Sequence, residues 1–144
     1  MRFQLLSIVA LVLPPVVSTA KDVNPENLAL QALATATSEY SQAYLAKFVC
    51  DDAIPPALSQ QDLSMAWAAK GNRHAQGVSL TLTWQQPVTI AELVYYGRTG
   101  WDYNENFKDY EVFIGDAKAP VAKGTFRPGH GPQRIKLPKP ERCS

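Results

Sequence analysis

The feature that most constrains this chain is an alternation of apolar and polar residues with a period of two, which begins at residue 79. Leu80, Leu82 and Trp84 alternate with serine and threonine, as in a strand with one face on a core. Three further apolar segments follow, at residues 88–96, 110–114 and 135–137. Prolines and turn dipeptides such as Gly115-Asp116 separate them. This pattern predicts an all-β sandwich of short strands.

Two local irregularities give further predictions. In the segment 88–96 the alternation slips near Glu92, and a β-bulge there would restore the inward face. Earlier in the chain, four apolar residues recur at helical spacing: Tyr40, Tyr44, Leu45 and Phe48. They favour a short helix around residues 44–49. Threonines at positions 35 and 37 favour extended or looped structure before it.

Residues 1–20 have the pattern of a secretory signal peptide. Arg2 supplies the positive start, an apolar run follows, and Ser18-Thr19-Ala20 offers a cleavage site. A transmembrane anchor is the alternative, but prolines 14 and 15 end the run too early to span a bilayer. We therefore expect cleavage after Ala20, one domain over residues 21–144 without a transmembrane segment, and a secreted, periplasmic or cell-surface location.

Charge and cysteine content restrict the partners. The net charge is +1 and both signs are interspersed, so we expect no nucleic-acid partner. The two cysteines, Cys50 and Cys143, belong to a chain expected in an oxidising compartment. A disulfide between them would stabilise the fold by about 4–5 kcal/mol in the chain-entropy model. The alternative is a buried thiol at Cys50 and an unpaired one at Cys143.

The order of several segments resembles the discoidin domain, which is also called the coagulation-factor type C or galactose-binding-like domain. The resemblance runs from about Asn27 to the end of the chain. It is carried by the segments Asn27-Leu28-Ala29, 35–40 (TATSEY), 48–52 (FVCDD), Asp62 with Trp67, 88–98 (VTIAELVYYGR) and 107–112 (FKDYEV). The stretches 97–101 and 131–135 look like such modules in large secreted bacterial proteins.

The resemblance implies a jelly-roll β-sandwich whose loops at one end bind ligands. In the family, a segment like Glu141-Arg142 leads into a further strand, a glycine-rich loop and a last strand with a glutamate. Because this sequence ends at Ser144, we expect a domain that lacks its last strands. A missing central strand leaves unpaired backbone groups, so either this is a truncated gene product or another chain completes the fold.

The loop from Arg98 to Asn106 is the best candidate for a ligand site. An aromatic face stacks on a pyranose while planar polar groups bond its hydroxyls. The loop combines both kinds of group in Arg98, Trp101, Tyr103 and Asn104, and His74 lies in a second, weaker candidate loop. The structural alternative is that Arg98 pairs with a carboxylate to hold the loop and that Trp101 plugs one end of the sandwich.

The resemblance also implies a possible structural calcium ion. Many family members hold one with loop carbonyls, an aspartate and a C-terminal glutamate, ligands of the hard oxygen type that calcium prefers. Asp51 matches the aspartate, while Asp52 replaces the usual glycine and the glutamate has no counterpart. The alternative is that both aspartates cap a turn. No other cofactor is expected.

Catalysis is not expected from the sequence. His74 and His130 lie in polar or glycine-rich segments, and no nucleophile–base signature surrounds them. A carboxylate pair such as Asp102 with Glu105 is the remaining option for a hydrolase, but exposed loop carboxylates are usually only solvated. The sequence therefore predicts a non-catalytic module that binds carbohydrate or a surface protein, as in cell adhesion. The alternatives are an accessory scaffold or protein-interaction domain without a small ligand, and a truncated product.

Overall fold

The computed structural model describes residues 26–71, 77–100 and 105–144. The expected signal peptide lies outside these residues, as do four of the predicted ligand-binding residues, His74, Trp101, Tyr103 and Asn104. Within the described residues, no helix is long and apolar enough to cross a membrane.

The regular structure of the described residues is antiparallel strands with very little helix, which confirms the all-β prediction. The six strands are β1 (Leu33–Ala36), β2 (Leu80–Thr83), β3 (Val88–Tyr95), β4 (Asp109–Val112), β5 (Ala122–Thr125) and β6 (Gln133–Cys143). They form three antiparallel pairs, β1 with β2, β3 with β6, and β4 with β5. Of the strands, β5 and β1 have no counterpart among the alternating segments predicted from sequence, although extended or looped structure was favoured around β1.

Two 3-10 helices of four residues each precede β2, at Leu28–Gln31 and Ala46–Val49. The first begins after Asn27, whose side-chain oxygen accepts a hydrogen bond from the Ala29 amide at 3.1 Å. This is the N-cap contact that satisfies a free amide at a helix start. The second covers the end of the segment 44–49, where a short helix was predicted, and it packs against β1.

The bulge predicted near Glu92 is present and is larger on the partner strand. Val88–Ile90 pair with residues 141–143, and Glu92–Tyr95 pair with residues 133–136. Between these registers, Ala91 alone faces residues 137–140 of β6. Pro138 and Pro140 lack an N–H, so they cannot continue the ladder and the strand bulges at this point.

One apolar core lies between the pairs. It contains the inward residues of β2 and β3 and the tryptophans Trp67 and Trp84. Each indole N–H is satisfied: Trp67 donates to the Ser38 carbonyl at 2.9 Å and Trp84 to the Leu28 carbonyl at 2.8 Å. These bonds tie the amino-terminal segment to the strands, and the Trp67 ring stacks on Phe107 at a centroid distance of 5.0 Å.

The disulfide between Cys50 and Cys143 is not formed in the structure, in which both residues are free thiols. The Cys50 thiol instead donates to the Lys47 carbonyl at 3.4 Å, within its own 3-10 turn. Cys143 lies at the end of β6, opposite Val88. Burial raises the pKa of both thiols, with smaller contributions from Asp51 and Glu141 respectively.

Candidate ligand-binding loops

Asp62 is the centre of a hydrogen-bonded cluster that includes Arg98, three residues after the end of β3. Its side chain is 1% exposed, and such a carboxylate requires partners because burial removes its hydration. Oδ1 accepts a hydrogen bond from the Tyr44 hydroxyl at 2.8 Å, and Oδ2 accepts one from Nε of Arg98 at 2.5 Å. Three loops distant in sequence are thereby joined through one carboxylate.

Arg98 is held from three sides. Besides the Asp62 contact, its guanidinium lies over the Tyr44 ring, 5.1 Å from the centroid, and 3.7 Å from the Glu105 carboxylate. Its backbone carbonyl accepts a hydrogen bond from the Asn106 side chain at 2.7 Å. The side chain keeps 18% of its surface exposed. The structure therefore places Arg98 in the role of loop anchor.

Two tyrosines extend this cluster toward solvent. Tyr44 is buried, whereas Tyr40 is 60% exposed, and the two rings meet edge to face at a centroid distance of 5.9 Å. Burial raises the pKa of Tyr44, and the hydrogen bond to Asp62 raises it further. Tyr44 consequently remains a neutral donor at physiological pH, and Tyr40 presents an open aromatic surface beside it.

A second set of contacts joins the neighbouring loops. Thr99 Oγ1 accepts a hydrogen bond from the Leu58 amide at 2.7 Å, and a Cβ on Gly100 would overlap the Ser59 carbonyl. On the other side of Arg98, the Gly97 amide donates to the His130 carbonyl at 2.7 Å. The His130 ring in turn donates to the Pro55 carbonyl at 2.6 Å. The residues before Trp101 are thus fixed by backbone contacts to two other loops.

Of the residues predicted to bind a ligand or a metal, the structure describes Arg98 and Asp51. Asp51 is exposed, and its side chain accepts a hydrogen bond from the Ala53 amide at 3.0 Å, as expected for a residue that caps a turn. Asp52 has a positive φ of 62° in the same turn. Among the described residues, no three histidine, cysteine, aspartate or glutamate side chains are grouped so as to hold a metal ion.

Sequence reasoning missed the roles of Tyr40, Tyr44 and Asp62. The tyrosines fitted a helical spacing, but the chain before residue 46 turns instead of forming a regular helix. Asp62 was noticed only as part of a family-like segment with Trp67. No local signal marks Asp62, because its burial is set by contacts with Tyr44 and Arg98, which are distant in sequence.

The described structure defines an all-β domain whose loops at one end are organised around a buried ion pair. Residues 27–104 match the family described as a domain of unknown function, DUF7402. The match covers just over half of the 144 residues, and it includes the cluster residues Tyr44, Asp62 and Arg98. The chain belongs to this family. No curated protein and no solved structure matches it.

Proposed function

We propose that this chain is an exported, non-catalytic binding module of the discoidin type that retains carbohydrate at the loops around Arg98. The single observation that carries the proposal is that Tyr44 contacts both the exposed ring of Tyr40 and the guanidinium of Arg98, which is itself paired with Glu105. Tyr40 offers the aromatic face, and Arg98 and Glu105 offer the planar polar groups. This is the mixture that recognises a sugar ring.

The charge of this cluster favours a neutral sugar. Arg98 carries one positive charge, and Asp62 and Glu105 lie within ion-pair distance of it with one negative charge each. An anionic sugar would meet a guanidinium that is already neutralised and a second carboxylate that repels it. The hydroxyl groups of a neutral pyranose are not repelled by the carboxylate and do not need an unpaired cation. We therefore assign the loops to neutral glycans.

The jelly-roll architecture is part of the proposal. Three antiparallel strand pairs surround one core, and three loops converge at the end where Arg98 lies. Binding loops at one end of a β-sandwich agree with the discoidin resemblance of the segments 35–40 and 88–98. A calcium ion near Asp51 remains a prediction of that resemblance, and any such ion would be structural.

The cluster suits binding better than catalysis. Both Asp62 oxygens are engaged by Tyr44 and Arg98, so this carboxylate is not placed to accept a proton from a substrate. His130 already donates to the Pro55 carbonyl. A general base needs a lone pair directed at the substrate, and the Asp62 lone pairs that accept the hydrogen bonds from Tyr44 and Arg98 are directed at the protein.

A glycan array with the mature domain, residues 21–144, tests this proposal. We expect retention of neutral glycans that is lost in Tyr40→Ala and Trp101→Ala but preserved in Leu33→Ala. Leu33 is 68% exposed on β1, where it pairs with Thr83, and it controls for loss of an exposed apolar side chain. If a folded sample, verified by circular dichroism, retains no glycan, carbohydrate binding is excluded.

A second candidate function, protein interaction without a small ligand, is favoured by one observation. Three large apolar side chains in the segment 54–63 are exposed: Ile54 at 40%, Leu58 at 74% and Leu63 at 65%. Exposed apolar groups in one loop are typical of a partner surface. Loss of partner capture in Leu58→Ala with Leu63→Ala, without any glycan retention by the wild type, would favour this candidate.

A further inference from the structure

The outward face of β6 carries a line of cations. Ile135 and Leu137 point into the core and are 5% and 8% exposed, while the alternate residues Arg134 and Lys136 are exposed. Beyond the bulge, Arg142 is exposed opposite the exposed Thr89 of β3. Lys139, within the bulge, is 76% exposed. We call Arg134, Lys136, Lys139 and Arg142 the cationic strip.

The strip is only partly neutralised by neighbouring carboxylates. Arg134 donates to Glu92 at 2.9 Å, and Lys139 lies 3.8 Å from Glu141. Within the described parts of the chain, Lys136 and Arg142 make no ion pair. Four cations and two carboxylates leave a surplus of two positive charges along β6 and its partner strand β3. In a chain of net charge +1, this surplus exceeds the charge of the whole molecule.

The geometry of β6 favours a linear ligand bound through its charges. Alternate residues of a strand lie about 6.6 Å apart on one face, so Arg134 and Lys136 present their charges side by side, and Lys139 and Arg142 follow them within and beyond the bulge. Pro138 and Pro140 have no N–H to offer, and they weaken the strand as a template for an added β-strand. Recognition by side-chain charge is therefore favoured over backbone pairing.

We propose that the cationic strip binds an acidic polysaccharide, a chain with carboxylate or sulfate groups. This surface and ligand go beyond the neutral glycan assigned to the loops. The strip contains no aromatic side chain on which the bases of a single-stranded nucleic acid would stack. It also lacks the exposed large apolar side chains with which an interfacial segment enters a bilayer.

Affinity chromatography on immobilised polygalacturonate and heparin tests the strip, with the mature domain loaded at low salt. We expect retention that falls with added salt. The double variant Lys136→Gln with Arg142→Gln should lower the affinity about tenfold, since it removes two exposed charge contacts. A matched control, Lys47→Gln with Lys118→Gln, removes the same charge from exposed residues elsewhere and should change the affinity little.

Three results would overturn this inference. The first is no retention of the wild type on either polyanion, and the second is an equal loss in the control variant. The third is stronger strip-dependent binding to duplex DNA or to vesicles containing phosphatidylserine, which would assign the strip to another anion. Because the strip variant leaves Tyr40 and Arg98 intact, it should retain neutral glycans as the wild type does, so the two proposals fail separately.

Discussion

The carboxylate of Asp62 and the guanidinium of Arg98 form an ion pair at 2.5 Å that joins residues 36 positions apart. The aspartate is buried and the arginine is partly exposed. A buried ion pair seldom adds much net stability, because desolvation offsets the attraction. Its effect here is positional, since it fixes the start of the loop that leads to Trp101 against the segment that contains Asp62.

Removal of the carboxylate should be strongly destabilising. In Asp62→Ala, the Arg98 guanidinium and the Tyr44 hydroxyl lose their common acceptor inside the protein. We expect the free energy of unfolding to fall by about 3 kcal/mol. This is the lower end of the range for breaking a buried ion pair, because Arg98 keeps some contact with solvent. Urea unfolding followed by tryptophan fluorescence measures it.

Glu105→Gln is the matched control for that prediction. Glu105 is also paired with Arg98, but its side chain is 53% exposed and the separation is 3.7 Å. Exposed pairs of this kind contribute at most about 1 kcal/mol. If the two variants were equally destabilised, the cluster would not depend on the buried carboxylate.

The raised pKa of Tyr44 predicts a loss of stability at alkaline pH. The unfolded tyrosine ionises near its ordinary pKa of about 10, whereas burial keeps the folded hydroxyl protonated to higher pH. Its contribution is therefore complete below about pH 10 and is lost as the pH rises through the folded pKa. In Tyr44→Phe the free energy of unfolding should therefore fall less steeply with pH, as measured by urea unfolding between pH 8 and 11.

The same variant should be less stable at neutral pH. Tyr44→Phe keeps the ring under Arg98 but deletes the hydroxyl that donates to Asp62, a hydrogen bond to a charged acceptor worth about 1.5–3 kcal/mol. Some alkaline sensitivity should remain, because burial also raises the pKa of Tyr95. If the free energy of unfolding of Tyr44→Phe depended on alkaline pH as that of the wild type does, Tyr44 would not titrate as its burial requires.

Gly100 tests whether the loop before Trp101 is fixed by close backbone contact. In Gly100→Ala the new methyl group would overlap the Ser59 carbonyl, so the two loops must separate. We expect a destabilisation of about 1–3 kcal/mol, as for other overpacked sites, together with weaker glycan retention. Gly71→Ala is the control, since a Cβ there meets no atom within 4 Å. Equal thermal midpoints for the two variants would contradict the close contact.

Both cysteines should react as free but protected thiols. Burial raises the pKa of Cys50 and of Cys143, so at pH 8 less thiolate is present in the folded protein than in the unfolded chain. Alkylation should modify two thiols per chain, slowly under native conditions and rapidly in denaturant. Purified exported protein in which neither thiol reacts until a reductant is added would instead establish the Cys50–Cys143 disulfide.

The strand content of this protein could be predicted from sequence because the alternation is local. Leu80 and Leu82 identify β2, and the slip at Glu92 identifies the bulge in β3, since one misplaced residue moves every later side chain to the other face. β5 was missed because its segment Ala122–Thr125 contains Gly124 and little apolar surface. Gly124 is needed there because the Tyr110 ring occupies the space of a Cβ.

The site was harder to predict because its parts are distant in sequence. Arg98 was selected from its own loop, but nothing local indicates that its partner is Asp62 or that Tyr44 lies beneath it. The cationic strip was not predicted from the sequence for a different reason. Its charges alternate with apolar residues and prolines, and they form a row only when the segment is a strand.

The most direct test of the central claim is a two-dimensional NMR titration of the isotope-labelled mature domain with a neutral glycan retained on the array. We expect the shifted resonances to belong to the loops around Tyr40, Asp62 and Arg98, with β6 unperturbed, and we expect Tyr40→Ala to abolish the shifts. Shifts that map to another face, or that persist unchanged in Tyr40→Ala, would contradict the claim.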